Sequence, residues 1–211
     1  MIASVLVFAK APVHGAVKTR LIPVLGAAGA AALHERFVDR ALATAAAAAT
    51  GPVELCCAPD APHPALAALA RAHGATLAKQ GPGDLGDRMH AAFRRALAGA
   101  PAAIVIGCDC PALTPEHLCD AATALVSGHD AVIAPAEDGG YVLIGLRRAE
   151  RSLFDGIGWG GTTVLEETRT RLAALGWRWR ELETLWDVDR PEDVVRLRRE
   201  IAGGAGLIDG P

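Results

Sequence analysis

Hydrophobic positions along this chain fall into two alternating kinds of run. Ile2–Ala9, Val53–Cys57 and Ala102–Gly107 are short, unbroken and apolar, as strands buried on both faces are. Between them lie longer stretches of helical period. Gly26–Thr50 is alanine-rich with Leu33, Phe37 and Ala41 on one face, and Pro64–His73 is closed by Gly74. Asp84–Ala98 spaces Leu85, Met89, Ala92, Phe93 and Ala96 as a helix, after a short strand at Thr76–Ala78. Thr114-Pro115 supplies a cap and a first-turn proline, which predicts a helix over Glu116–Ser127. Ala131–Ala134 and Tyr141–Leu146 read as strands around a Gly139-Gly140 turn. A helix over Thr162–Leu175 follows, then an alternating strand at Trp177–Leu182. A last helix starts near Pro191, with Val194, Leu197 and Ile201 facing the core.

Strand–helix alternation predicts an α/β fold: one three-layer α/β/α domain around a mixed, mostly parallel, Rossmann-like sheet. The late strand pair breaks the alternation and predicts an antiparallel element. Residues 1–202 are read as this domain and 203–211 as a loose, flexible tail. Ligands of open α/β sheets bind beyond the carboxyl ends of the strands, so the loops after each strand are where chemistry is expected.

Composition narrows the partners. The 211 residues carry 21 Lys+Arg against 24 Asp+Glu, a formal charge of −3, which lacks the basic excess of a nucleic-acid binder. Five cysteines, an odd number, show no disulfide framework, and neither a secretory start nor an apolar run of ~20 residues is seen. A reducing, cytoplasmic setting is expected. Cys108, Cys110 and Cys119 match no common zinc spacing and read as buried small residues. The oligomeric state is left open, a homodimer included.

The loop after the first strand, Lys10 to Arg20, sets Lys10, Lys18 and Arg20 around Gly15, with Thr19 between the last two cations. Valine rather than glycine precedes Lys18, so this is no P-loop, but it suits a polyphosphate. Gly81-Pro82-Gly83-Asp84-Leu85-Gly86 matches GxGxxG and raises a dinucleotide reading. Pro82 removes an N–H there and Asp84 would repel a pyrophosphate. Asp109 follows the clearest strand, where a carboxylate could hold a divalent cation or merely satisfy a turn. Asp187 and Asp189 form a second acidic cluster; Asp189 could be a helix cap, which leaves Asp187 the better metal candidate. Glu137 and Asp138 precede Gly139-Gly140-Tyr141, whose glycines could bring bare N–H groups near a ligand. Trp159, bracketed by glycines, reads as an exposed platform before a helix start at Thr162.

Six segments in order, VFAKAPVHGAVKTRL, GDLGDRM, VIGCDCPALT, APAEDGGYVLIGL, WGGTTVL and DVDRPEDV, resemble the motifs of bacterial arsenosugar-biosynthesis-type glycosyltransferases over roughly residues 2–197. That resemblance implies the nucleotide-diphospho-sugar transferase (GT-A) fold. A wider resemblance reaches 2-phospholactate guanylyltransferase and the molybdenum-cofactor nucleotidyltransferases. By these resemblances Lys10, Gly15, Lys18, Thr19 and Arg20 would hold phosphates, and Asp109 would ligate Mg²⁺ or Mn²⁺ with Asp187 or Asp189. Gly83, Asp84, Leu85 and Arg88 would contact base and ribose. Glu137, Asp138, Gly139, Gly140, Tyr141, Trp159 and Thr162 would receive a small-molecule acceptor. The expected activity is transfer from a nucleotide-sugar, with Asp109, Asp138 and Lys18 catalytic and Glu137 a reserve base. The alternatives are nucleotidyl transfer from an NTP with loss of pyrophosphate, an NAD(P)-binding oxidoreductase, and a non-catalytic sensor. His14 and Ala16 beside Gly15, and Cys108-Asp109-Cys110 in place of a GD or DxD turn, depart from the pattern.

Overall fold

In the computed structural model, which describes residues 2–59, 63–201 and 204–209, the apolar runs pair into one seven-stranded sheet. Met1, Ala202, Gly203, Gly210 and Pro211, at the ends of the expected domain and tail, lie outside the described residues. The strands are β1 (Ser4–Lys10), β2 (Val53–Ala58), β3 (Thr76–Lys79), β4 (Ala103–Gly107), β5 (Ala131–Pro135), β6 (Tyr141–Leu146) and β7 (Trp179–Glu181), in the order β3-β2-β1-β4-β6-β5-β7. All pairings are parallel except those of β6, which runs antiparallel to both β4 and β5. The expected mixed sheet is therefore present, with its reversed strand inside the sheet rather than at an edge.

The helices are α1 (Ile22–Ala48), α2 (Pro64–Ala72), α3 (Leu85–Leu97), α4 (Pro115–Val126), α5 (Val164–Ala174), α6 (Pro191–Glu200) and α7 (Gly204–Asp209). Successive strand residues point to opposite faces, which divides the core in two. Val5, Val7, Ile104 and Ile106 join Leu33 and Phe37 of α1, Leu66 of α2, Leu118 of α4 and Leu197 of α6. Leu6, Phe8 and Val105 join Met89 and Phe93 of α3 and Leu172 of α5. Each fully buried phenylalanine, such as Phe37 and Phe93, contributes roughly 1.5–3 kcal/mol by leaving water.

The helical stretch Thr19–Ala48 is 30 residues long with a mean hydropathy of 1.2 in its apolar window, so by length and composition alone it could cross a membrane. Its alanines raise that value; in the fold Leu33, Phe37, Val38 and Leu42 lie on the sheet, and Gly26, at φ 70, interrupts the helical backbone. The expected loose tail contains α7, because Leu207 and Ile208 pack against the core and Arg36 donates to their carbonyls at 2.8 and 3.1 Å.

Candidate active site

The chain leaves β1 toward β2 on one side and returns to β4 on the other, so the loops after β1 and β4 diverge from one crevice. Lys18, in the first loop, takes a left-handed backbone (φ 46) and turns its side chain inward to 4% exposure. Its Nζ lies 3.0 Å from Asp109 Oδ2 and 2.9 Å from Asp189 Oδ1, and donates to the Val188 carbonyl at 2.6 Å. The Val188 N–H donates in turn to the Asp109 carbonyl at 2.9 Å. Arg20, largely exposed, stands 3.6 Å from Asp189 Oδ2. Three segments remote in sequence thus meet at one ammonium.

Burial by itself would lower the Lys18 pKa, but Asp109 and then Asp189 outweigh it and hold the ammonium above its usual range. Burial likewise works to raise Asp109, and Lys18, followed by His34, overcomes it and keeps the carboxyl well below the usual carboxylate range. An ammonium has three N–H donors, and three oxygens already surround this one. Lys18 thus holds the two carboxylates together in the lining of the cleft. The pair beneath it is an all-oxygen donor set around a positive charge, the chemistry that suits Mg²⁺ or Mn²⁺.

A cleft of about 670 Å³ opens over this cluster. Lys10, Thr19 and Arg20 from the first loop and Asp84, Leu85 and Arg88 from the start of α3 line it together with Asp109, Asp189, His34 and Cys108. Gly15 and Gly83 are not among the lining residues; both have positive φ and shape the turns instead. The GxGxxG helix start is already served by carboxylates. Asp84 Oδ1 accepts the Asp87 N–H at 2.9 Å and Asp87 Oδ2 faces the Asp84 N–H, where a pyrophosphate would have to sit.

A smaller pocket of about 180 Å³ adjoins the cleft, the two sharing Leu85. Asp138, Gly140, Tyr141, Trp159 and Asp187 line it. Asp187 lines this pocket and Asp189 the cleft, and the ion pair at 2.9 Å assigns Asp189, and not Asp187, to the Lys18 cluster. Asp189 is not the helix cap either: Asp193 accepts the N–H groups of Asp189 and Arg190 at 2.9 and 2.7 Å. Burial, with the nearby Asp189 and Asp138 carboxylates, pushes Asp187 up to about 6.

A carboxyl whose folded pKa is raised weakens the fold as pH climbs from its unfolded value through its folded one. Asp187→Asn is accordingly expected to match the parent near pH 3.8 and to be more stable above pH 6, by about 1–3 kcal/mol. Urea unfolding at the two pH values reads this directly; equal stability at pH 7 would refute it.

Several acceptor-side expectations are corrected. Glu137 turns away from the pocket and forms a fork with Arg196 at 2.7 and 3.0 Å. Gly139 and Gly140 present no free N–H: theirs go to the Ala136 carbonyl at 3.1 Å and Asp138 Oδ1 at 2.9 Å. At Gly139 (φ 92) an added Cβ would run into the Thr162 carbonyl, so this glycine admits the start of α5 rather than a ligand. Thr162 is exposed and not among the lining residues. Trp159 is half-buried, packed on Gly86, Phe154 and Tyr141 while lining the pocket, because Gly86, where an added Cβ would strike the indole, leaves room for it. Burial raises the Tyr141 phenol. Of the cysteines, Cys108 and Cys110 are buried as expected, while Cys119 is exposed.

Two residues at the cleft escape a reading of the sequence. Gln80 donates to the Ala9 and Cys56 carbonyls at 3.3 and 2.9 Å and ties strand ends together. His34 lies one residue past Leu33 on the helix, and its only sequence signal is a polar residue next to an apolar face.

The family described as "Uncharacterized protein conserved in bacteria (DUF2064)" matches residues 41–161. No curated protein matches the chain. Among solved structures, a protein of Desulfovibrio desulfuricans G20 provisionally designated a nucleotide-diphospho-sugar transferase is 29% identical, with a TM-score of 0.86 over 98% of this chain and 94% of that one. A CMP:2-keto-3-deoxy-manno-octonic acid synthetase complexed with CTP has 13% identity and a TM-score of 0.57, over 94% and 97%. The Mycobacterium tuberculosis glucosyl-3-phosphoglycerate synthase, in complex with Mn²⁺, UDP and glucosyl-3-phosphoglycerate, also has 13% identity, with a TM-score of 0.56 over 99% and 80%. The last two share the fold.

Proposed function

We propose that this chain, which belongs to that bacterial family (DUF2064), is a metal-dependent, cytoplasmic transferase moving a sugar from a nucleotide-sugar to a small-molecule acceptor. The observation that carries the reading is the convergence of Lys18, Asp109 and Asp189 in the lining of a cleft that adjoins a second, carboxylate-lined pocket. The D. desulfuricans likeness and the resemblance to arsenosugar-type glycosyltransferases favour a sugar donor. The synthase that holds Mn²⁺ and UDP in the same fold supports a cation–diphosphate pair. Five free cysteines suit a reducing compartment.

Asp109 and Asp189 would hold Mg²⁺ or Mn²⁺, which supplies neutralising charge to a departing diphosphate. Lys10 and Arg20 line the cleft with positive charge for the phosphate oxygens. Arg88 and Leu85 face the nucleoside, and the acceptor occupies the smaller pocket. Asp138 takes the proton of the acceptor hydroxyl as that oxygen bonds to the anomeric carbon and the bond to the nucleoside diphosphate breaks. Stabilising the leaving group more than the bound substrate is what accelerates the step.

Nucleotidyl transfer is the second reading. It is favoured by Asp138 being engaged with the N–H of Gly140, since that reaction needs no strong base. Incubation with Mn²⁺ and panels of nucleotide-sugars, NTPs and acceptors separates the two. Release of a nucleoside diphosphate supports glycosyl transfer, and release of pyrophosphate supports the second reading. No nucleotide-dependent thermal stabilisation with Mn²⁺ would overturn both.

A further inference from the structure

Asp109 presents its two oxygens to different surroundings. Oδ2 faces Lys18, whereas Oδ1 faces His34 Nδ1 at 3.8 Å and the Cys108 thiol at 3.4 Å. The His34 side chain is 5% exposed, and its Nε2 lies 2.9 Å from the Lys10 carbonyl. A carbonyl only accepts, so Nε2 donates to it. Nδ1 is buried with no hydrogen-bond partner and is directed at the carboxylate oxygen. An imidazole nitrogen, a carboxylate oxygen and a thiol thus stand together along the cleft lining.

The ligand atoms of His34, Cys108 and Asp109 all lie within 4.8 Å of one another. Neighbouring ligands of a four-coordinate ion with bonds of ~2.0–2.3 Å stand roughly 3.3–3.8 Å apart, so closure takes about 1 Å of side-chain movement. The His34 hydrogen bond to a main-chain carbonyl is the kind of support that fixes a metal-bound imidazole. All three residues line the large cleft, so a fourth position would be open to it. Imidazole, thiolate and a single carboxylate select a softer ion than the all-oxygen pair beside Lys18 does.

We propose that His34, Cys108 and Asp109 form a second cation site, specific for a thiophilic divalent ion of the zinc class. On binding, the Cys108 S–H bond breaks, its proton passes to solvent and the thiolate bonds the ion; no oxidation state changes. Because both sites draw on Asp109, the thiophilic ion competes with Mn²⁺ at Asp109 and Asp189. The inference stands apart from the proposed transferase activity, since it concerns metal alone.

The test is a Co²⁺ titration of the reduced full-length protein without nucleotide. One equivalent is expected to produce a thiolate-to-cobalt charge-transfer band, abolished by an equivalent of Zn²⁺. Cys108→Ser should abolish the band, and His34→Gln should weaken Co²⁺ binding at least tenfold. Asp189→Asn, Cys110→Ser and Cys119→Ser should leave it in place. Asp189→Asn would in the same samples remove Mn²⁺-dependent nucleotide stabilisation, so the failure of one reading is distinguishable from that of the other. Far-ultraviolet circular dichroism confirms that each variant is folded, and His34→Gln carries the test if Cys108→Ser is not. No thiolate band at one equivalent, or a band that survives Cys108→Ser, would overturn the proposal.

Discussion

Asp109→Asn is expected to abolish Mn²⁺-dependent nucleotide binding while leaving the protein folded. A nucleotide at a hundredfold its Kd stabilises the parent by ~2.7 kcal/mol, worth about 5–10 °C in Tm for a chain of this size. The variant should show almost none of that shift, and its turnover should fall by ~10²–10³-fold or more. The amide keeps an oxygen for Lys18, and the main-chain bond from Val188 to the residue 109 carbonyl does not depend on the side chain. What it loses is the negative charge that a hard cation requires. A thermal-shift assay with and without Mn²⁺ decides the matter; an unchanged shift in the variant would remove Asp109 from the metal site.

Lys18→Met should have the largest effect on stability. Removing the ammonium leaves Asp109 and Asp189 facing each other, with the exposed Arg20 at 3.6 Å from Asp189 a distant substitute for the buried counter-charge. Breaking a buried pair in this way costs ~3–5 kcal/mol, reduced here to about 2–4 because the two carboxylates are 38% and 41% exposed. The Lys18 pKa is raised on folding, so its stabilisation is complete below pH 10.5 and is lost only as pH rises through the higher folded value. The deficit should therefore be constant from pH 6 to 9. It should narrow in acid, because the depressed Asp109 contributes stability above about pH 3.8 that is lost as pH falls through its folded pKa. Millimolar Mn²⁺ should stabilise the variant more than the parent, since the ion then meets two carboxylates that no longer share an ammonium. Urea unfolding reads all three effects. A loss under ~1 kcal/mol without rescue by Mn²⁺ would show that Lys18 does not hold the pair together.

The sheet was legible because burial on both faces writes itself as unbroken apolar runs, and the antiparallel pair because Gly139-Gly140 interrupts two of them. The helix start at Thr114 was legible from capping chemistry, which is local. Lys18 and Asp109 meet because β1 and β4 are neighbours in the sheet. What the sequence concealed depends on where side chains point. Asp187 and Asp189 stand two residues apart, where an ideal extended chain puts both side chains on one face, and only the docking of the segment beside β5, where Leu185 donates to the Pro135 carbonyl, fixes which faces which cavity. Glu137 looked like a base until Arg196, 59 residues away, was placed beside it. Trp159 among glycines read as exposed because glycine permits loops and close packing equally. α7 was missed because six residues with two large apolar side chains carry too short a period to detect.

Val188, fully enclosed, is fastened from both sides: its N–H to the carbonyl after β4, its own carbonyl to Lys18. Insertions before Leu185 or beyond the helix that starts at Pro191 would leave both bonds in place, whereas the interval between the two acidic positions contains the residue that makes them. Deleting Val188 would remove both fastenings at once, a point that recombination or loop grafting in this region has to respect.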